Sequence, residues 1–388
     1  MKLPLPPNYF QCPPLSAEAT AELKQQAHAT AMEVVEKSLV QPNETVSWSV
    51  LSTDTIKIYR AKDYRETNPH VKLCVGVIEV AGSIDEVVEL FRNDTTERAK
   101  AYVARFGKGL RDSVNLYTLS TPSESHKHEL VSIHWTTFES PVKNVVMPRD
   151  SVCLEGQYEF NLNGKRGWVR SVKSIDIACC PDMQQSHGLI RMHQLGAGHV
   201  FMESDRPGYM RIAYVVHSAF NVTGLLQGAA SDWAIDKAIK RRCASLLDLD
   251  TFLRENRLAK GRFLMGNQLV PKEARHVCLL CQKKFGLFVS KTHCVKCGEV
   301  FCSDCSSTWT IPIQGTPTRI EACKTCALQR PSTSSSRSRS KASSAVKTTP
   351  GSAVSTPAGG AYEHRPTNEL WIQEFLADKS LVAVETNV

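Results

Sequence analysis

Eight cysteines in the last third of the chain are spaced as four C-x2-C pairs. The pairs are Cys278 with Cys281, Cys294 with Cys297, Cys302 with Cys305, and Cys323 with Cys326. Each pair can place two thiolates on one ion in the tight knuckle geometry that tetrahedral zinc accepts, so eight thiolates predict two closed sites with four cysteine ligands each. Closed sites are structural because no position is left open for water or substrate. In so small a module, metal binding would supply most of the folding free energy.

The residues around the central pairs resemble a known zinc finger family. The run CGEVFCSDCS at 297–306 is similar to the C-G-x-x-F-C-x-x-C-S pattern of FYVE fingers, and the spacing from the first pair to the last also fits. The resemblance implies that the pairs interleave in a cross-brace and hold two structural zinc ions. One ion would take Cys278, Cys281, Cys302 and Cys305, and the other would take Cys294, Cys297, Cys323 and Cys326.

The resemblance also implies a lipid ligand, because FYVE fingers hold phosphatidylinositol 3-phosphate with three basic elements. Of the central element, a basic pair followed by H-H-C-R, this chain keeps Lys291 and His293. The upstream W-x-x-D element is absent from 269–278, and Glu321 stands where the R-V-C element has its arginine. Each lost charge-assisted hydrogen bond removes about 1.5–3 kcal/mol, so the divergent finger argues against specific recognition of this phosphoinositide.

An apolar loop, FGLFV at 285–289, precedes the third cysteine. In FYVE fingers the corresponding loop dips into the bilayer, so the resemblance places Leu287 and Phe288 at its tip. Phe285 and Val289 are expected to pack inside the finger instead. A basic collar around an apolar wedge suits the membrane interface. The collar residues are Lys283, Lys284 and Lys291.

Catalysis finds little support in the sequence. It contains no G-x-S-x-G, P-loop or H-E-x-x-H motif, and its Gly196-Ala197-Gly198 run lies in a strand-like segment rather than at the start of a helix. Several histidines fall on predicted strands and are interpreted as lining or surface residues, not metal ligands. They are His134, His193, His199 and His217. We expect a protein that is not an enzyme.

Upstream of the finger, the spacing of apolar residues alternates between the helical period and the strand period. A helix is predicted at 16–40 from its helix-forming residues, followed by three strands at 46–51, 55–61 and 71–80. A capping box of Ser83 and Glu86 opens a helix that a second helix, at 95–106, follows. Six strands and a long amphipathic helix are then predicted, at 114–119, 130–137, 151–160, 168–178, 190–203, 209–220 and 231–256.

This order predicts an α+β domain in which a strongly curved antiparallel sheet has its concave face covered by the last helix. The space between them would be an apolar cavity for one hydrophobic ligand. Residues 16–257 resemble a START-type, helix-grip domain, in the early Trp48, the segment 140–158 that leads into Arg149-Asp150, and the terminal helix from Trp233. That family binds or transfers sterols, phospholipids or other lipids, mostly without covalent chemistry. The resemblance therefore implies a lipid ligand in the cavity.

The net charge and the number of cysteines indicate which surface the protein binds and in which compartment it lies. The formal net charge is +8, and the excess of basic residues lies on the finger and the segment after it, which suits an anionic membrane better than nucleic acid. Prolines interrupt the first residues where a signal peptide would need an apolar run, so we expect a cytoplasmic protein. Its 14 cysteines are then expected as metal ligands or reduced core residues rather than disulfides, and Cys179-Cys180 as the end of a strand.

The predicted organisation has four parts. A START-like domain (1–260) precedes the cross-brace finger (271–330), a disordered Ser/Arg-rich linker (331–362) and a tail (363–388). In the tail, four apolar residues at helical spacing form a short amphipathic element that is typical of a docking peptide for a protein partner or for this chain's own domain. They are Trp371, Ile372, Phe375 and Leu376.

Together these features predict a lipid-binding and membrane-docking adaptor, peripheral on endosomal membranes. Two alternatives stay open. In the first, the finger is a protein- or RNA-interaction module on a START-like scaffold. In the second, the START-like cavity is an acyl thioesterase.

Overall fold

The structure is a computed structural model that describes residues 3–6, 8–106, 109–139, 147–220, 229–286, 288–313 and 316–328. These residues form two compact units, of which the first ends at Leu253 and the second begins at Arg254. The predicted linker and tail lie outside the described residues, as do Leu287 and 140–146 of the START-like segment.

The first unit contains the predicted helices and strands in the predicted order, with the short α4 in addition, and the last turns of α5, from Arg254 on, belong to the second unit. The helices are α1 (Ala17–Ser38), α2 (Ile84–Leu90), α3 (Thr96–Phe106), α4 (Gln184–His187) and α5 (Ala229–Ala259). The strands are β1 (Val46–Ser52), β2 (Lys57–Asp63), β3 (Val71–Ala81), β4 (Leu110–Ser120), β5 (Leu130–Phe138), β6 (Arg149–Leu162), β7 (Lys165–Ser174), β8 (Ile190–Arg191), β9 (His193–Glu203) and β10 (Tyr209–Ala219).

One curved sheet joins all ten strands. Its order is β1-β2-β3-β10-β9-β7-β6-β5-β4 with antiparallel neighbours, and β8 pairs in parallel with β6. The strand predicted at 190–203 is divided because its two parts have different partners: β8 pairs with β6, whereas β9 pairs with β7 and β10. The α+β helix-grip fold is confirmed by this sheet and by the long last helix.

The two long helices cover opposite faces of the sheet. On one face, a Cβ atom added to Gly156 would lie 3.1 Å from the carbonyl oxygen of Ala27, which brings α1 close to β6. On the other, a Cβ atom on Gly76 would lie 2.9 Å from the Cβ and Sγ atoms of Cys243, so α5 packs against β3. The predicted apolar stripe of α5 is buried there. The sequence predicts Ile235, Ile239, Cys243 and Leu246 on this stripe, and the structure extends it to Leu249 and Leu253.

A disulfide corrects the expectation about cysteines. Cys12 is bonded to Cys179, and the bond ties the segment before α1 to the stretch that follows β7. Because β7 ends at Ser174, Cys179 and Cys180 do not end a strand as predicted; they lie in the connection beyond it. No local signal marked this pair, because 167 positions separate the two cysteines. Their proximity depends on the tertiary fold alone.

The second unit has a core made of cysteines and a few apolar side chains. Two short 3-10 turns, Gly266–Gln268 and Lys272–Ala274, precede strands β11 (Thr292–His293) and β12 (Val300–Phe301), hairpin β13 (Ser306–Ile313) and β14 (Thr316–Cys323), and helix α6 (Lys324–Leu328). Leu258, from the last turns of α5, packs in this core with Phe301, Ile311 and Ile320. Five of the eleven buried residues of this core are cysteines, so its purely apolar part is small.

Candidate functional site

Two knuckles with the same hydrogen-bond pattern present the first two cysteine pairs. In the first, the N–H of Gln282 donates to the carbonyl of Cys278 over 2.9 Å; in the second, Gly298 donates to Cys294 over 2.7 Å. The residue after each pair has a left-handed backbone, with φ of 59° at Gln282 and 78° at Gly298. At the second knuckle only glycine fits, since a Cβ atom there would lie 2.9 Å from the carbonyl oxygen of Gln268.

The fold gathers the eight sulfurs into two groups of four. In each group the Sγ atoms all lie within 4.8 Å of one another. The groups are Cys278, Cys281, Cys302 and Cys305, and Cys294, Cys297, Cys323 and Cys326. This is the interleaved arrangement that the FYVE resemblance implied.

The spacing of the sulfurs fits zinc. A tetrahedral site with Zn–S bonds of about 2.3 Å has sulfurs about 3.8 Å apart. The Sγ atoms of Cys281 and Cys302 are 3.7 Å apart. Backbone N–H groups also point at sulfur, from Cys302 to Cys278 and from Cys326 to Cys323, both over 3.4 Å. Such bonds stabilise thiolates, which are the form that binds metal.

The loop between the first two pairs carries one fully exposed aromatic side chain. Phe288 is 99% exposed, whereas Phe285 and Val289 pack against the core of the finger as predicted. Lys284 is exposed, and Lys283 lies 3.7 Å from the carboxylate of Asp304. Of the predicted wedge, the structure describes Phe288, and its side chain is exposed.

The basic residues of this face are already engaged by the protein. The ring of His293 is 2.8 Å from the carbonyl oxygen of Val270, and Lys291 donates to the carbonyl of Lys272 over 2.8 Å. Arg275 forms a bidentate pair with Glu299, with distances of 3.0 and 2.9 Å.

Glu321, at the position of the family's arginine, accepts a hydrogen bond from the hydroxyl of Thr308. Its carboxylate carries a negative charge where a phosphate group would need a positive one. Arg275 is therefore neutralised by Glu299, and the position of the family's arginine carries a carboxylate instead of a guanidinium.

A second site, in the first unit, was not found from the sequence. A polar row crosses the sheet on the face that α5 covers, and all its members are largely buried. Strand register places them on one face: Ser132 opposite Glu155, Gln157 opposite Arg170, and Arg170 opposite His199. The signal was present in β6, where Cys153, Glu155 and Gln157 alternate with apolar residues. We call Ser132, His134, Glu155, Gln157, Arg170 and His199 the polar belt.

Glu155 and Arg170 form the centre of the polar belt. The guanidinium donates through Nε to Oε1 over 2.8 Å and through Nη2 to Oε2 over 2.7 Å. Asn93 and Gln157 donate to the same carboxylate. Burial opposes ionisation of Glu155, but the charge of Arg170 and these hydrogen bonds outweigh it and lower the pKa of the carboxyl group.

Burial disfavours the charged form of both histidines of the belt. Burial, assisted by the charge of Arg170, lowers the pKa of His199 to about 3, and burial also lowers the pKa of His134. His199 stacks on Tyr214 with ring centroids 4.1 Å apart. In the part of the chain that the structure describes, the Nδ1 atoms of both histidines are buried and have no hydrogen-bond partner.

Ser132 and His134 have the spacing of a nucleophile and its base. The hydroxyl oxygen lies 2.6 Å from Nε2 of the imidazole. A catalytic histidine is normally oriented by a third group at its other nitrogen, and that atom has no partner among the described residues. The pair therefore has the distance but not the support of a catalytic dyad.

Among the described residues, no helix is long and apolar enough to cross a membrane.

Comparison with known proteins identifies the second unit. Residues 268–331 match the family model for the FYVE zinc finger. The chain is 43% identical over 58 residues to human RUN and FYVE domain-containing protein 2, covering 15% of this chain and 9% of that protein. It is 34% identical over 67 residues to Lateral signaling target protein 2 of Caenorhabditis elegans, covering 17% and 10%. The chain thus spans about a tenth of the length of these curated relatives.

Solved structures resemble the first unit. Human StAR-related lipid transfer protein 5 aligns with 61% of this chain and 99% of its own, at 12% identity and a TM-score of 0.46. A STAR-related lipid transfer protein fragment from Xanthomonas axonopodis aligns with 53% and 98%, at 18% identity and a TM-score of 0.38. Likeness at this level does not identify a ligand. The family match and the two cysteine tetrads nevertheless agree on the finger: residues 268–331 are a FYVE zinc finger, a two-zinc module, in a chain whose first domain has a helix-grip architecture.

Proposed function

We propose that this protein binds a lipid in its helix-grip domain and docks on membranes through its finger. The observation that carries the docking proposal is the full exposure of Phe288 on a loop flanked by lysines. An aromatic side chain that is left in water costs free energy, and its transfer into the interface is favourable by about 1.5–3 kcal/mol.

In this proposal zinc is the structural support of the docking loop. The eight cysteines of the two tetrads are the ligands, four to each ion. Bound zinc supplies the cross-links that hold the knuckles on either side of the loop. The thiolate donors, the sulfur spacing and the N–H groups that point at sulfur support this assignment.

The finger recognises the lipid head group by its negative charge rather than through a specific phosphate pocket. Lys283 and Lys284 attract an anionic leaflet, and each basic residue near the surface contributes about 1 kcal/mol. Arg275 is held by Glu299, and Glu321 adds a negative charge, which supports weak discrimination among anionic lipids. The FYVE resemblance points to endosomal membranes as the place of docking, with peripheral association.

The helix-grip domain contributes the lipid-binding part of the function. Its α5 supplies six apolar residues to a core shared with β2, β3 and β10, while the polar belt lies on the same face of the sheet. A lipid also combines a long apolar part with a polar end, which supports a lipid as the ligand of this interior. The role of Ser132 and His134 in this proposal is binding, not ester or thioester hydrolysis.

Vesicle sedimentation with the full chain tests the docking proposal. Phe288→Ala should weaken association with phosphatidylcholine vesicles that contain phosphatidylserine by about tenfold, because a buried aromatic side chain is lost. Leu287→Ala combined with Phe288→Ala should abolish it. Met265→Ala is a matched control because Met265 is also exposed, at 72%, but lies outside the loop. Adding phosphatidylinositol 3-phosphate should change the affinity no more than an equal charge of phosphatidylserine.

Other outcomes would reject parts of the proposal. Unchanged sedimentation of the double variant would contradict insertion of the loop. Binding to RNA at low salt without binding to vesicles would favour the finger as an RNA-interaction module. Turnover of acyl thioesters that Ser132→Ala abolishes would favour the thioesterase alternative.

A further inference from the structure

We propose that the helix-grip interior selects an uncharged lipid that bears hydroxyl or carbonyl groups, which hydrogen-bond to the free Nδ1 atoms of His134 and His199. This inference rests on the proposed lipid-binding function of the domain and names the class of lipid.

The first step is the hydrogen-bonding capacity that the protein leaves unused. His134 is 4% exposed and His199 is 7% exposed, and each has a buried Nδ1 atom without a partner in the described residues. A buried polar atom without a partner costs about 1–3 kcal/mol, so most such atoms in folded proteins are paired with protein, water or ligand. Two of them on one face of one sheet indicate a place where a polar molecule binds.

The second step is that the charged pair of the belt is not available to a ligand. Arg170 uses two donors on Glu155, and Asn93 and Gln157 use further lone pairs of the same carboxylate. The charges of the pair therefore cancel between the two histidines, and both oxygens of the carboxylate are engaged. Ligand hydrogen bonds are left to the imidazoles on either side of it.

The third step concerns the charge of the ligand. A phosphate group beside either histidine would be buried close to the carboxylate of Glu155, and the nearest guanidinium is already neutralised by that carboxylate. The next cation, Arg242 of α5, donates to Ser218 and to Gln194 over 3.2 Å each. A neutral imidazole offers one donor or acceptor at Nδ1, which matches a hydroxyl or carbonyl group. An uncharged lipid fits this interior at a lower desolvation cost than a phospholipid head group.

The two contact points are well separated. His134 is on β5 and His199 is on β9, with β6 and β7 between them. Three strand spacings correspond to about 14 Å along the sheet. The ligand therefore has polar groups at two positions, or has one polar group and leaves a water molecule at the other histidine.

Titration with fluorescent lipid analogues tests the inference on the full chain. The probes are cholesterol and diacylglycerol analogues, which are uncharged, and phosphatidylcholine and phosphatidylserine analogues, which carry phosphate. We expect an uncharged probe to bind more tightly than both phospholipids. His134→Leu or His199→Leu should reduce its affinity about five- to tenfold, the value of one hydrogen bond. His134→Gln and His199→Gln should retain part of the affinity for this probe, because the side-chain amide can make the hydrogen bond that the imidazole made.

The controls separate binding from folding. His193→Leu, in the same strand as His199 but exposed, should bind like the wild-type protein, and each variant should keep a cooperative thermal transition. Tighter binding of a phospholipid, or equal binding by the leucine variants and the wild type, would overturn this inference and leave lipid binding by the domain in place. Binding of none of the four probes would overturn both this inference and the lipid-binding part of the proposed function.

Discussion

Arg170 and Glu155 form a bidentate ion pair inside the helix-grip domain, with 15% of one side chain and 3% of the other exposed. The two residues come from neighbouring strands, and their charges cancel where water is largely excluded. Such a pair contributes little net stability compared with apolar residues of the same size, but it is costly to break, because the remaining charge is left buried and unpaired.

Replacing one residue of the pair should therefore lower the free energy of unfolding more than replacing both. Arg170→Met should lower the free energy of unfolding by about 3–5 kcal/mol, because it leaves the carboxylate of Glu155 buried without a counter-ion. The double variant with Glu155→Leu should recover most of that loss. Urea denaturation followed by circular dichroism measures both. A double variant that is as unstable as the single one would contradict this account of the pair.

His199 should make stability depend on pH. Because its pKa is lowered to about 3, the folded state stays neutral while the unfolded state takes up a proton below about pH 6.5. The unfolded state then binds more protons, so stability falls as the pH falls. Between pH 7 and pH 5, proton uptake by His199 in the unfolded state should lower the free energy of unfolding by about 1–2 kcal/mol.

A His199→Phe variant isolates this effect, since phenylalanine can keep the stacking on Tyr214. Its unfolding free energy, measured in urea at both pH values, should fall less between pH 7 and pH 5 than that of the wild type. Equal losses in the two proteins would show that His199 is not neutral and buried in the folded state.

Removal of zinc should unfold the finger and leave the helix-grip domain folded. The wild-type chain should contain two zinc ions by elemental analysis, and Cys294→Ser should contain at most one, because a tetrad loses a thiolate. Cys12→Ser is a matched control that should keep two. After chelation, hydrogen exchange should become fast in 271–328 and stay slow in the sheet of the first unit. Two ions in Cys294→Ser, held against a chelator as tightly as in the wild type, would exclude Cys294 as a ligand.

Reduction of the Cys12–Cys179 bond should destabilise the first unit. A disulfide that closes a long loop typically stabilises a fold by about 2–5 kcal/mol, so a phosphine reductant should lower its unfolding temperature by several degrees. Calorimetry of the wild type and of Cys12→Ser measures this. The variant should unfold at the lower temperature with or without reductant. A wild-type transition that reductant does not move would mean that the two cysteines are not bonded in solution.

Local signals along the chain were sufficient to predict the finger. The two ligands of a knuckle have only two residues between them, so spacing alone specifies them, and the left-handed Gly298 is likewise a local requirement. The order of helices and strands in the first unit could also be predicted, because hydrophobic period and the capping box at Ser83 are local signals. The apolar stripe of α5 was predicted for the same reason.

Which distant residues meet depends on the three-dimensional fold. Cys12 and Cys179 are 167 positions apart, and Lys291 and His293 are engaged by backbone carbonyls that no motif marks. Gln157, Arg170 and His199 lie in one row across β6, β7 and β9 because antiparallel register, set by turns and by burial of one face, aligns strands from separate parts of the chain. Pairing of this kind depends on the whole sheet, so a single sequence supplies the strands but not the interior that they enclose.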